Sequence, residues 1–191
     1  LDDYPREDHR HGIIHDCLPT PEGIQICRDY HIQMPMQSAF IGWKQEPDDY
    51  LEHILGHDRL EKLNPIKTFR DNDIMVSFGS DAPCTTPDPI AWMDRAVNND
   101  NAGQAVSVQD ALRMCTYNGA WAAFDEQERG SLEAGKIADM AVLSENPYTV
   151  PKDKLSGLRV ERLYLGGKPY ESCRENILPM MLRGLTSRNK A

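Results

Sequence analysis

"VSFGSDAPCTTPDP", residues 76–89, is the stretch on which the reading of this chain turns. A short apolar run ends in Gly79-Ser80-Asp81 and passes into a loop holding Pro83, Pro87 and Pro89. With the preceding "DIM" the run reads as one compact apolar strand, the pattern of a strand buried on both faces of a parallel sheet. Its last act is to aim a lone carboxylate, Asp81, into a stiffened loop. In βα-repeat proteins the functional groups gather at the C-terminal ends of parallel strands.

Working outward, "GIIHD" (12–16) is a short strand-like run ending in His15 and Asp16. "TPEGIQICRDY" predicts a helix with Thr20 as N-cap, Pro21 in its first position, and Ile24 and Cys27 on one face. "HIQMPMQSAF" predicts an extended segment, and "DDYLEHILGHDRLEKL" a helix with Leu51, Ile54 and Leu55 at helical spacing. "NPIKTFRDN" adds a helical turn or two before the strand that ends in Asp81. "PDPIAWMDRAV" predicts a helix opened by Asp88-Pro89. "SVQDALRMCTYNGAWAAF" predicts another, with Ser107 and Asp110 at capping-box spacing. Strands alternating with helices imply βα units on a parallel sheet. Beyond residue 128 the pattern changes: "DMAVL" reads as a strand, and "RVERLYLGGKPYES" as a hairpin around Gly166-Gly167. The tail "RENILPMMLRGLTSRNKA" predicts a short helix broken at Pro179.

Composition narrows the function classes. The chain has 191 residues and a formal net charge of −9, which argues against nucleic acid and anionic membranes as partners. No apolar run approaches the ~20 residues of a membrane span. Its five cysteines lack CxxC spacing, so neither a disulfide framework nor a cysteine-based zinc site is expected. A reducing, cytoplasmic setting fits this usage.

His15 and Asp81 both end strands and can project into one mouth. A neutral imidazole and a carboxylate converging there suit a divalent metal such as zinc, and the carboxylate can take a proton from an activated water. The bland alternative is that Asp81 caps its own turn and His15 is an incidental surface histidine. His9 and His11 share one face if extended, yet lie in a charged stretch that reads as solvated. His31 and His53 read as surface or helix-face residues, and His57, just after Gly56, as a helix end. Phe40 and Trp43 can line a pocket or fill a core. Trp121 and Phe124 read as helix core.

Four stretches together resemble the C-terminal part of the amidohydrolase superfamily, the metal-dependent hydrolases, and most of all its amidohydrolase family 3 branch. "DHRHGIIHD" resembles the segment that ends in the metal-binding histidine of barrel strand six, which maps onto His15. "LNPIKTFRDNDIMVSFGSDAP" resembles the strand-eight segment whose aspartate is catalytic, which maps onto Asp81. "SVQDALRMCTYNGAWAAF" resembles the helix that follows. "GSLEAGKIADMAVLSENPY" with "VERLYLGGKPY" resembles the return of the chain into a small flanking β-sandwich. The resemblance covers roughly residues 5 to 171. Ile14 departs from it, standing where an acidic residue is usual.

The resemblance implies an α/β chain forming the C-terminal part of a (β/α)8 TIM barrel, about strands 6–8, with part of a flanking β-sandwich. The implied division is 1–128 for the barrel portion, 129–173 for the sandwich portion and 174–191 for a tail. The implied activity is metal-dependent hydrolysis of an amide-like, non-peptide C–N bond through metal-activated water. Asp81 would be catalytic and, with His15, would bind one or two divalent ions, zinc by expectation. The partners implied are a small-molecule substrate and an upstream N-terminal half of the barrel, with a homo-oligomer left open. The remaining metal ligands of the family would lie in that upstream half. The alternative is a non-catalytic amidohydrolase-like module that assembles with a separate N-terminal chain.

Overall fold

The computed structural model describes residues 1–43 and 45–170. Its heart is a parallel strand pair, β1 (Met34–Met36) and β2 (Val76–Phe78), with Met34 opposite Val76 and Met36 opposite Phe78. The strand expected over "GIIHD" is reduced to an isolated parallel bridge between Gly12 and Gln33. Hydrogen bonds from Gln33 N–H to the His11 carbonyl (2.8 Å) and from Ile13 N–H to the Gln33 carbonyl (3.0 Å) hold it. The chain then turns at Ile14 and His15, where φ of 61° takes His15 out of extended geometry. Three passes of chain thus run side by side in sequence order. Parallel neighbours need crossovers, and helices supply them.

The first crossover is α1 (Pro21–Asp29), whose first free N–H groups are met by Thr20 through a bond from Gly23 N–H to Thr20 Oγ1 of 3.0 Å. The second holds α2 (Asp48–Leu55), α3 (His57–Leu60) and α4 (Ile66–Asp71). The single helix expected over 48–63 is broken because Gly56 adopts φ 79°, a conformation open to glycine and costly for other residues. Its expected apolar stripe is not a buried one: α2 contains no buried residue, and Ile54 is exposed. After β2 come α5 (Pro89–Val97), α6 (Val108–Cys115) and α7 (Tyr117–Ala122). The helix expected over 107–124 is divided at Thr116, which leaves helical geometry at φ −126°, ψ −89°. Its start is as read from sequence, with Ser107 and Asp110 capping each other reciprocally.

The core lies where these helices meet the parallel pair. Met34, Met36 and Val76 pack with Ile66 and Phe69 of α4, Met93, Ala96 and Val97 of α5, and Ala111 and Met114 of α6. Asn118 at the start of α7 donates a side-chain bond of 2.6 Å to the Val76 carbonyl, fixing the helix against β2.

Residues beyond 129 form an antiparallel sheet of β3 (Met140–Leu143), β4 (Val160–Leu165) and β5 (Lys168–Pro169). The hairpin expected at Gly166-Gly167 is present, both glycines having positive φ. Leu155 and Leu158, between β3 and β4, are buried in the same core as the parallel pair. The expected tail over 174–191, and residues 171–173 of the expected sandwich portion, lie outside the described residues.

One contact joins the beginning of the chain to α7. The Arg10 guanidinium lies over the Trp121 and Phe124 rings, 4.5 and 4.1 Å from their centroids. It forms paired bonds to both Glu126 carboxylate oxygens (2.8 Å each) and to Asp8 (2.8 and 2.9 Å), and it also donates to the Trp121 carbonyl. The helix core expected of Trp121 and Phe124 is not what forms: Trp121 on α7 is half-buried, Phe124 lies past its end and is exposed, and both rings instead receive the Arg10 cation.

Gly130 makes a second close approach. A Cβ there would lie 2.6 Å from Ala120 Cβ and 3.1 Å from Tyr117 Cα, and its φ is 91°. Gly130→Ala combines overlap with backbone strain and is expected to cost about 2 kcal/mol. The check is denaturant unfolding, and an unchanged midpoint would show that the loop yields.

Candidate active site

The two residues singled out from sequence are brought together. His15 Nε2 stands 3.5 Å from Asp81 Oδ2, at the C-terminal end of the parallel passes. Their side chains are 41% and 43% exposed, so they sit at an open mouth and not in the core. Both backbones are left-handed, with φ 61° at His15 and 51° at Asp81. For residues other than glycine this costs about 1 kcal/mol each, a cost the surrounding fold sustains.

Each side chain is placed by local structure. The His15 N–H bonds the Pro35 carbonyl at 3.4 Å, tying it to β1. Its ring packs against Phe40 at 5.8 Å between centroids, and Phe40 meets Trp43 edge-on at 4.9 Å. Phe40 also borders a cavity of about 410 Å³ whose other walls include Leu51, Glu61, Asn64 and Asp100. Of the two readings open for Phe40 and Trp43, the pocket-lining one describes Phe40.

The Asp81 loop is held by its own short bonds. The Asp81 carbonyl accepts Cys84 N–H at 2.8 Å, and Thr85 Oγ1 donates to the Ser80 carbonyl. Asp88 accepts Ile90 N–H at 3.0 Å and so caps α5, whose first residue is Pro89. Across the mouth, Ser38 Oγ donates to the Trp92 carbonyl at 2.9 Å, pinning the end of β1 to α5.

The separation of His15 and Asp81 bears on a metal. Two ligands of one tetrahedral zinc, each about 2.0–2.1 Å from it, lie about 3.3 Å apart. The observed 3.5 Å is close to that separation. Among the described residues no cluster of three or more His, Cys, Asp or Glu gathers to complete a site. Asp16, next to His15, has its carboxyl pushed up by burial.

His31 and His53 are exposed, while His9, His11 and His57 make local contacts. His9 and His11 do not share a strand face. Their rings stack at 4.7 Å, His9 Nδ1 accepts His11 N–H at 2.9 Å, and His9 Nε2 pairs with the Tyr30 carbonyl at 2.8 Å. His57 opens α3 within reach of Glu52 and Glu61.

One polar group at the mouth escapes sequence reasoning. Gln37 follows β1 directly and is only 7% exposed. The signal was available: a glutamine closing the apolar run "MPM" is an expensive residue to bury without a task.

Comparison with known proteins decides the family. A model described as the amidohydrolase family matches residues 1–170. The chain belongs to the amidohydrolase family. It is 33% identical over 152 residues to the N-substituted formamide deformylase of Arthrobacter pascens, covering 76% of this chain and 26% of that protein. It is 31% identical over 100 residues to the 5-methylthioadenosine/S-adenosylhomocysteine deaminase of Thermoanaerobacter pseudethanolicus, covering 48% of this chain and 23% of that one. This amidohydrolase chain thus spans about a quarter of the length of those relatives. Among solved structures it resembles a metal-dependent hydrolase from Pyrococcus furiosus, with a TM-score of 0.65 at 24% identity over 73% of this chain and 29% of that one. It also resembles an adenosine deaminase from Xanthomonas campestris with bound zinc, with a TM-score of 0.61 at 17% identity over 93% of this chain and 41% of that one. At such identities the likeness speaks for the fold. No helix among the described residues is long and apolar enough to cross a membrane.

Proposed function

We propose that this amidohydrolase chain supplies strands 6–8 of a (β/α)8 barrel, as the Gly12 bridge, β1 and β2, with β3–β5 as part of a flanking sandwich. In this reading the full-length protein hydrolyses the C–N bond of a small, non-peptide amide. The observation that carries it is the convergence of His15 and Asp81 to 3.5 Å at the C-terminal ends of parallel passes.

His15 and Asp81 would hold the divalent metal, zinc by preference for a nitrogen and an oxygen donor. When bound, that ion supplies a Lewis acid that makes water a nucleophile near neutral pH and polarises the amide carbonyl. His15 contributes a neutral imidazole, oriented by the Phe40 ring. Asp81 receives the proton lost by the attacking water at its carboxylate and returns it to the departing nitrogen, which leaves as an amine. Phe40 and the cavity beside it receive the group carried on that nitrogen. The formamide deformylase relative makes N-substituted formamides the first substrates to try.

A second reading is a non-catalytic module that joins a separate N-terminal chain, since among the described residues only His15 and Asp81 come together at the mouth. Metal content and amide hydrolysis, measured together on the full-length protein, separate the two. About one or two zinc ions per chain, with amine released from an N-substituted formamide, supports the enzyme. A metal-free protein that cleaves no amide supports the module.

A further inference from the structure

Gln37 is more than nine-tenths buried, yet among the described residues its Oε1 has no hydrogen-bond donor. A buried acceptor left unpaired costs on the order of 1–3 kcal/mol. Its Nε2 makes one long bond, 3.4 Å to the Pro35 carbonyl, the same oxygen that accepts the His15 N–H. The Gly79 N–H bonds the Met36 carbonyl at 3.0 Å, which sets Gln37 level with the "GSD" turn. A Cβ on Gly79 would lie 3.9 Å from Gln37 Nε2, an ordinary contact distance, so the carboxamide stands beside the start of that turn. The amide thus lies between the strand ends that carry His15 and Asp81. It is loosely held, and its terminal torsion is soft.

Resting on the hydrolase reading above, we propose that Gln37 is a substrate-binding residue whose Oε1 accepts the N–H of a secondary amide. The amide turns by giving up the weak Pro35 contact and presents its oxygen to the mouth. The bond formed there orients the scissile C–N bond toward Asp81. The enzyme then selects amides that carry an N–H over fully substituted ones, because a substrate without that donor leaves Oε1 unpaired.

The test uses the full-length protein in an Asp81→Asn background, so that ligand is held and not turned over. Dissociation constants are measured by calorimetry for N-butylformamide and for N-butyl-N-methylformamide, which lacks the N–H. The expected preference for the secondary formamide is about tenfold, collapsing to within about twofold in Gln37→Met. Gln37→Met is also expected to raise the melting temperature, because a near-isosteric apolar side chain replaces an unsatisfied one. A fall in melting temperature would show a structural partner for Oε1 and overturn the proposal. So would a preference that survives in Gln37→Met, or failure of the protein to bind either formamide. Loss of the hydrolase reading looks different: the Gln37-dependent preference persists while the protein with Asp81 intact releases no amine.

Discussion

Asp81→Asn in the full-length protein is expected to lower kcat by about 10²–10⁴-fold, the contribution typical of a positioned proton-transfer group. Asparagine keeps the shape of the side chain and loses the ability to take a proton. The fold should not notice. Asp81 is nearly half exposed, its loop is held by bonds from the Cys84 N–H and the Thr85 hydroxyl to backbone carbonyls, and the His15 ring lies 3.5 Å away. Exposed pairs of that kind contribute under about 1 kcal/mol. The melting temperature should therefore stay within a few degrees while turnover collapses. Turnover close to the parent value would remove Asp81 from the mechanism.

Arg10→Ala is expected to cost about 2–4 kcal/mol of stability. The guanidinium is 7% exposed, sits over two aromatic rings and is paired with a Glu126 side chain that is 11% exposed. Removing it leaves that carboxylate buried without its cation. The same contact sets an acid limit. Hydrogen bonding to Arg10 pulls the Glu126 carboxyl from the ordinary 4.5 down to about 2. A depressed carboxyl stabilises the folded chain above the unfolded value and loses that contribution as pH falls from about 4.5 toward 2. Arg10→Ala should flatten this part of the stability-versus-pH curve, and urea unfolding at several pH values from 7 down to 3 reads it. An equal loss of stability at every pH would show that Arg10 acts through packing alone.

Much of this was legible from residue patterns. Caps announced the helices well, because a cap is a local arrangement: Thr20, Asp88 and Ser107 all sit where their side chains meet the first free N–H groups. Breaks were missed for the complementary reason. Gly56 and Thr116 interrupt stretches whose apolar spacing reads as continuous, and periodicity does not register one residue's φ. "GIIHD" had the composition of a strand, yet only Gly12 pairs, because His15 turns away to face the mouth. The pairing of His15 with Asp81 came from the resemblance and from strand-end reasoning, and the structure brings the two within 3.5 Å. Gln37 was legible as a polar residue closing an apolar run, but its unpaired Oε1 was not, because an unpaired atom is a property of surroundings and not of sequence. Arg10, Trp121, Phe124 and Glu126 were legible only as a charged opening and a helix face, since more than 100 residues separate them.

That separation has a consequence in time. Arg10 and Glu126 lie 116 positions apart, so their contact closes after the intervening passes have docked. Contacts of such long range form late, because the entropy of closing the chain is lost before they return anything. A latch that closes last does little for the rate of folding and much for how long the folded state endures. Breaking it should show itself in the unfolding limb of the kinetics, with the first dozen residues lifting away from α7 sooner and more often.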